Sequence, residues 1–370
     1  MRVVHVAPTP FGADGLFGGG ERYPLELARS LARRVETELF TFGPAARVVE
    51  DPRGSGLRVR ILRTVTYLGR HPAHPVAPSL PAAVARASAD VIHTHHLWST
   101  PSQAAIVAGR VAGKRIAVTD HGLSPAGLGR LLPALVHGFL PVSQYSARVL
   151  GAPASRTAVI YGGADPERFR PDPDAHRDGV LFVGRFTPHK GLDRLLTALP
   201  DGAALTCAGT FGHDPRPPES GYAERLRRQA AALHGRIRFV EAPGDDDLRA
   251  LYRQARVFVL PSVEENCYGR RIAVSELLGL SVLEAMASGT PVICSRVGGV
   301  PEIVDDGETG YLVAPGDVDG LRARLEELLR DPSRAERMGR AARDRVVDRF
   351  TWDACAERCL AAYADLTGPE

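Results

Sequence analysis

Two cations, two carboxylates and a set of glycine-bearing loops are the residues of this sequence whose types and spacing could do chemistry. Arg185 and Lys190 flank the short run Phe186-Thr187-Pro188-His189, so both can converge on one ligand. Arginine supplies a planar two-pronged donor and lysine a compact point charge, a combination suited to a diphosphate. The plain alternative is two surface cations. Against it, Lys190 and Lys114 are the only lysines in a chain that otherwise uses arginine. Glu276 and Glu284 are separated by seven residues. A helix beginning near Leu280 places Glu276 in the loop before it and Glu284 about one turn in. The N–H groups around Gly279, Leu280 and Ser281 would then be free to cradle a phosphate, and Glu284 could accept two hydroxyls. On spacing alone the two acids could equally be salt-bridge partners.

A second glycine loop, Phe17-Gly18-Gly19-Gly20-Glu21-Arg22, follows the first apolar run and precedes a helix. Gly19 and Gly20 would let the backbone approach an anion at the helix start, or they form a mere tight turn. The loop lacks the GxGxxG spacing, and only Glu38 stands where an acidic partner about 20 residues on is required, so a nicotinamide cofactor is a poor second. His93, His95 and His96 invite a metal. His93 and His95 share one face of a strand, but no acidic third ligand is evident, and packed or cleft-lining histidines are the plainer reading. Asp172-Pro173-Asp174 has the letters of a metal-binding pair but sits in a linker, so no metal or other cofactor is expected. The five cysteines, Cys207, Cys267, Cys294, Cys355 and Cys359, form no CxxC pair. That fits a reducing cytoplasm and neither a disulfide framework nor a zinc site.

The elements that must position these residues alternate. Residues 3–6, 37–41, 59–62, 91–93, 116–119 and 158–160 read as strands, and 24–34, 81–89, 100–111 and 143–150 as helices. The pattern restarts with strands at 179–183, 204–207, 237–240, 257–260, 291–294 and 310–312. Helices follow at 192–198, 222–233, 245–253, 280–287 and 318–329. Such alternation predicts parallel sheets covered on both faces. The expected organisation is a first domain over 1–165, a Pro, Asp and Arg-rich linker over 166–178 and a second domain over 179–350. A helix over 351–370 would pack back towards the first domain. Ligands of such sheets bind at the carboxyl ends of the strands, which places the loops above in a cleft where the two domains face each other.

The Glu-x7-Glu element, with Pro261-Ser262 upstream and Ala285-Met286-Ala287-Ser288-Gly289-Thr290-Pro291-Val292 downstream, resembles the donor signature of retaining glycosyltransferase family 4. Arg185 and Lys190 resemble that family's diphosphate clamp, Gly19 and Gly20 its first-domain glycine loop, and Val297-Gly298-Gly299-Val300-Pro301-Glu302 the loop that follows. Tyr161-Gly162-Gly163-Ala164-Asp165 resembles its interdomain element, with Tyr-Gly-Gly-Ala in place of the usual residues. The resemblance implies an α/β GT-B fold of two Rossmann-like doubly wound domains. It implies that Glu284 holds the ribose hydroxyls and that Glu276 lies near the donor sugar. In Thr119-Asp120-His121-Gly122 it makes His121 the active-site histidine. His121, Glu276, Arg185 and Lys190 are thus the expected catalytic set. Gly19, Gly20, Arg185, Lys190, Gly279, Leu280, Ser281 and Glu284 are the expected donor contacts, with no bound metal. One departure is the polar stretch 263–274, longer than in many relatives, which shapes donor or acceptor choice or is a harmless loop.

The resemblance predicts transfer of a hexose-type sugar from a nucleoside-diphosphate sugar, uridine first and guanosine second, to an acceptor hydroxyl. Residues 123–140 are apolar with few cations and lack the basic amphipathic look of a membrane-docking helix. A small soluble acceptor, such as a secondary metabolite, is therefore expected over a membrane lipid or polysaccharide precursor. A non-catalytic nucleotide-sugar-binding protein, an epimerase and a phosphorylase are the rivals. The 46 Arg and Lys against 43 Asp and Glu are unevenly spread: residues 1–165 hold 18 against 10, the remainder 28 against 33. The basic first half could meet an anionic membrane or acceptor, or be a solvated surface. No aromatic-basic interleaving points to nucleic acid. No run of about 18 apolar residues predicts a membrane span, and the short apolar start at 1–6 reads as a strand, not a leader.

Overall fold

The computed structural model describes residues 1–8, 19–122, 132–211 and 218–368. The chain divides into two units, Met1–Gly162 with Trp352–Glu370, and Gly163–Thr351. In the first unit the strands are β1 (Arg2–Val6), β2 (Glu36–Gly43), β3 (Arg47–Glu50), β4 (Arg58–Arg63), β5 (Thr66–Tyr67), β6 (Pro75–Val76), β7 (Val91–His95), β8 (Arg115–Thr119) and β9 (Gly138–Phe139). Its helices are α1 (Gly19–Ala32), α2 (Leu80–Arg86), α3 (Thr100–Val111), α4 (Leu132–Leu135) and α5 (Gln144–Leu150). The second unit carries β10 (Asp178–Val183), β11 (Leu205–Gly209), β12 (Ile237–Glu241), β13 (Ala255–Leu260), β14 (Val292–Ser295) and β15 (Gly310–Val313). Its helices are α6 (Leu192–Ala198), α7 (Tyr222–Ala231), α8 (Asp245–Gln254), α9 (Leu280–Ala287), α10 (Val300–Ile303), α11 (Val318–Arg330) and α12 (Pro332–Arg349). The last helix, α13 (Trp352–Thr367), returns to the first unit.

The first sheet runs β3-β4-β2-β1-β7-β8-β9 and the second β12-β11-β10-β13-β14-β15. Every pairing in both is parallel except β3 with β4. With the antiparallel edge strand β3 set aside, each sheet has the 3-2-1-4-5-6 order of a doubly wound fold, whose switch point lies beside its first strand. In the first sheet this is β1 against β7, in the second β10 against β13.

The two faces of the first sheet differ in kind. Val4, Val6, Phe40, Ile92, Ile116 and Val118 point into an apolar core that includes Val84 of α2 and Ile106 of α3. The opposite face presents His5, paired in register with His93, and then His95. It is covered by α1 and α13. The α13 side chains Trp352, Cys355, Ala356, Cys359, Ala362 and Tyr363 are buried at helical spacing. Ser30 and Arg33 of α1 bond to Asp353 Oδ1 at 2.5 and 2.8 Å. Tyr363 reaches the sheet through its hydroxyl, 2.6 Å from His93 Nδ1.

Three elements differ from the sequence pattern, two of them for local reasons. Residues 158–160 form no strand. They run beside β9 with bonds from Ala158 N to Phe139 O and from Ile160 N to Pro141 O, but Pro141 has no N–H to return and the ladder stops. Helix α12 was not expected, because its buried stripe, Ala335, Met338, Gly339, Ala342 and Val346, is made mostly of small residues. Its start is nonetheless capped, with Asp331 accepting from Arg334 N at 2.9 Å. Helix α1 begins at Gly19, five residues earlier than Pro24. Of the apolar run 123–140 only the part from Leu132 is described; Phe17 and Gly18 also lie outside the described residues. No helix among the described residues is long and apolar enough to cross a membrane.

Both tryptophans, Trp98 and Trp352, belong to the first unit, so tryptophan fluorescence reports its unfolding alone. Tyr363→Phe should lower that unit's stability in urea by about 1–3 kcal/mol, the cost of a buried partner left unpaired. An unchanged midpoint would show that the Tyr363–His93 bond contributes nothing.

Candidate active site

In the second unit the β10 strand ends at the switch point and delivers Gly184, Arg185 and Phe186. Phe186 is buried among Phe182, Phe211 and Phe239, and Pro188 is buried beyond it. These anchors hold the loop while Arg185 stays exposed. Arg185 makes no ion pair among the described residues. The loop ends in the turn Pro188–Lys190 and Gly191, whose φ of 67° and contact with Pro261 leave no room for a side chain. Val263 N donates to His189 O at 2.9 Å, so this loop is tied to the segment after β13.

Lys190 forms an ion pair with Glu276, which is 8% exposed. Ser262 Oγ donates to the same carboxylate oxygen at 2.8 Å. Burial works to raise the Glu276 pKa, but the Lys190 charge and the bonds from Lys190 and Ser262 outweigh it and hold the carboxyl below its ordinary value. The Glu276 carbonyl accepts from Gly299 N at 3.1 Å, and Gly298, at φ 57°, lies against the Glu276 backbone so closely that a Cβ would collide. His189 lies within reach of all three charges, those of Lys190, Arg185 and Glu276. Burial, then the charges of Lys190 and Arg185, push its imidazole down to about 3, with Glu276 pulling the other way.

Gly279, at φ 101°, turns the chain into α9, and Val282 and Leu283 N–H groups bond to its carbonyl at 3.0 and 3.2 Å. The N–H groups of Leu280 and Ser281 belong to the first turn and have no intrahelical acceptor. Glu284 lies one turn in, 6% exposed, and accepts from Tyr252 Oη at 3.0 Å. Arg185, Lys190, Glu276, Gly279, Leu280, Ser281 and Glu284 are thus assembled by one unit around one switch point. Tyr252 was not flagged by the sequence; a tyrosine on an amphipathic helix carries no signal of its own. The stretch 263–274 is a closed turn. Asn266 Oδ1 accepts from Tyr268 N at 2.9 Å and Arg270 N at 3.1 Å, and Ile272 N returns to Glu264 O at 2.8 Å. Asp172 and Asp174 form an Asx turn, with Asp174 N bonding to Asp172 Oδ1 at 3.1 Å.

The first unit holds Gly19, Gly20 and His121. Gly19 and Gly20 open α1. A Cβ on Gly20 would lie 3.1 Å from the His96 ring and 3.7 Å from His121 Cβ. His96 also hydrogen-bonds to the Gly20 backbone, whose carbonyl has lost its helical donor to Pro24. His121 Nε2 lies 3.1 Å from His95 Nδ1, and its ring packs 4.8 Å from that of Tyr23. The histidine that joins His93 and His95 is His5, not His96; one ring nitrogen from each of the three lies within 4.8 Å of the others. Their nitrogens are mostly paired already. His5 Nδ1 meets His95 Nε2 at 3.0 Å. His93 Nε2 meets Thr119 Oγ1 at 2.8 Å, and its Nδ1 meets Tyr363. The trio is therefore a hydrogen-bonded network, which a chelated ion would have to dismantle.

A family model described as glycosyl transferases group 1 matches residues 164–345, and one described as glycosyltransferase family 4 matches residues 17–168. The chain is 30% identical to a D-inositol 3-phosphate glycosyltransferase of Corynebacterium diphtheriae, over 99% of this chain and 94% of that one. It is 35% identical to a GDP-mannose-dependent alpha-(1-6)-phosphatidylinositol monomannoside mannosyltransferase of Mycobacterium tuberculosis, over 56% of this chain and 55% of that one. Among solved structures it is similar to a sucrose-phosphate synthase from Thermosynechococcus elongatus, with a TM-score of 0.74, 23% identity and 99% of each chain covered.

Burial lowers the pKa of His5 to about 3 and of His96 to about 4, and holds His93, His95 and His121 well below the ordinary value. The unfolded chain binds protons at these five sites near pH 6.5. Stability is therefore full above that pH and falls as the pH drops towards the folded values, by up to about 1.4 kcal/mol per histidine per pH unit. The urea midpoint read by tryptophan fluorescence should fall steeply between about pH 7 and pH 5. A flat midpoint would mean that these rings take up protons in the folded state.

Proposed function

The chain belongs to glycosyltransferase family 4 and is a glycosyltransferase of the GT-B fold, and we propose that it moves a hexose-type sugar, with retention at the anomeric carbon, from a uridine diphosphate sugar to a hydroxyl of a small soluble acceptor. The observation that carries this reading is the Lys190–Glu276 pair, set beside Arg185 and the α9 N-terminus. Arg185, Lys190 and the N–H groups of Leu280 and Ser281 take the diphosphate. They stabilise the negative charge that grows on it as the bond to the sugar breaks, and they are preorganised to do so. Glu276 holds Lys190 in place through their ion pair. Glu284, held by Tyr252, accepts the ribose hydroxyls.

No carboxylate stands assigned as a nucleophile, so the acceptor hydroxyl attacks the face the diphosphate leaves. The departing phosphate oxygen takes its proton. His121 contacts the sugar in the oxocarbenium-like transition state. The positive charge needed by the leaving group is all on side chains and backbone, which makes a divalent ion unnecessary to this scheme. A small acceptor is favoured because relatives that span nearly the whole chain are named for D-inositol 3-phosphate, whereas those named for a phosphatidylinositol monomannoside match between about half and two thirds of it. That second relative's name is the reason to keep a guanosine diphosphate sugar as the second donor to try.

Thermal unfolding against a panel of nucleotide sugars tests the donor. A bound donor at 100 times its Kd should add about 2.7 kcal/mol, with and without EDTA, and one nucleoside class should stand out. No shift with any member sinks the donor assignment. Lys190→Ala should lower kcat/KM at least tenfold, about 1.4 kcal/mol of transition-state stabilisation, with turnover in the wild type undiminished by EDTA. Wild-type rates in that variant would remove the clamp, and a metal requirement would overturn the scheme.

A further inference from the structure

We propose that His5 and His95 are positioning residues that fix the His121 ring as its Nδ1–H tautomer, so that His121 offers the bound sugar a hydrogen-bond donor and not a base. Three rings are joined in series: His5 Nδ1 to His95 Nε2 at 3.0 Å, and His95 Nδ1 to His121 Nε2 at 3.1 Å. Burial keeps each imidazole neutral, so each ring carries one N–H. Each of the two bonds needs one proton. His95 has a single proton to give, and the series is therefore polarised one way or the other throughout.

If His95 donates inward from Nε2, His5 must carry its proton on Nε2 and His121 on the shared Nε2. If His95 donates outward from Nδ1, His5 donates from Nδ1 and His121 carries its proton on Nδ1. His5 Nε2 decides between them, because it is buried and has no partner among the described residues. Inward polarity would leave an orphaned N–H in that closed position, the kind that is rare in native interiors; outward polarity leaves an unused lone pair there and puts the unpaired N–H at Nδ1 of half-buried His121, where water or a ligand can meet it. The neighbouring ring cannot reverse this. Thr119 Oγ1 gives its own proton to Leu140 O at 2.8 Å, so His93 must donate to it from Nε2 and accept from Tyr363 at Nδ1.

His121 Nδ1 has no partner among the described residues and is the nitrogen left for a ligand. As an N–H it cannot take the acceptor's proton, which agrees with a leaving phosphate as the base. The part of the proposal that concerns the sugar rests on the function proposed above; the tautomer itself is a property of the ligand-free protein.

The test is long-range nitrogen–proton NMR on histidine-labelled protein, with His121 assigned by its loss in His121→Phe. The expected result is a protonated Nδ1 and an unprotonated Nε2 at His121; the reverse pattern overturns the proposal, whatever the protein's activity. Kinetics supply the second arm. His5→Leu removes the first donor, and should give mixed tautomers at His121 and lower kcat about tenfold with the donor KM little changed. His5→Asn keeps an amide donor near the Nδ1 position, and should restore both. A His5→Leu protein with wild-type kcat and tautomer overturns the positioning role. Absence of sugar transfer by the wild-type protein, with the Nδ1–H tautomer present, would fail the proposed function and leave the relay standing.

Discussion

A carboxylate taken out of water has to find a cation, and in the second unit everything near the switch point follows from that requirement. Glu276 is nearly enclosed, and an unpaired charge there would be costly. Lys190 answers it, and to do so the loop after β10 must lie against the segment after β13. The missing side chain of Gly191 allows that approach. Gly298 allows a second one, of the loop after β14 onto the Glu276 backbone. Three loops from three strands thereby close around one ion pair, and α9 starts beside it. In the function proposed above the same pair holds the cation that meets the diphosphate, so fold and proposed chemistry draw on one interaction.

The first unit meets the opposite demand. Its sheet has one face built like any core and one lined by imidazoles, with Tyr363 and Thr119 supplying hydrogen-bond partners and Tyr23 packing against the rings. Polar groups in that position are tolerated only when satisfied. Among the described residues the network meets the condition except at single buried nitrogens of His5 and His96 and at Nδ1 of half-buried His121. A face of this kind is stiff and directional in a way that an aliphatic one is not, because each bond restricts the next. The ring that ends the series, His121, is the one the family resemblance marks as active.

The alternation of strands and helices was legible because parallel strands buried on both faces are written as short aliphatic runs. The two sheets and their shared strand order follow from it. Glu276, Lys190 and Arg185 were legible because charged residues at strand ends and helix starts stand out from apolar surroundings. Rarity by itself was a weaker guide: Lys114, the other lysine, bonds to the Ala87 carbonyl at 2.9 Å, at the end of α2. Helix α12 was hidden by the smallness of its buried residues, and the strand expected at 158–160 failed at a proline in its neighbour. The His5 contribution was invisible because a single histidine in a strand of valines gives no sign of which residues will lie beside it. Only the parallel register of β1 with β7 brings it against His93 and His95.

The last helix belongs to the first unit, and that has a consequence for synthesis. A chain emerging from the ribosome N-terminus first exposes residues 1–162 early, yet the imidazole face of their sheet is covered only when α13 arrives, after the whole of Gly163–Thr351 has been made. Domains generally fold as units in order of emergence. Here the second unit has all its parts first and can finish ahead of the first. Until α13 docks, the nascent first unit has a half-covered sheet whose exposed histidines can still take up protons. The growing chain would be most exposed to misfolding, and most sensitive to acidity, in that interval.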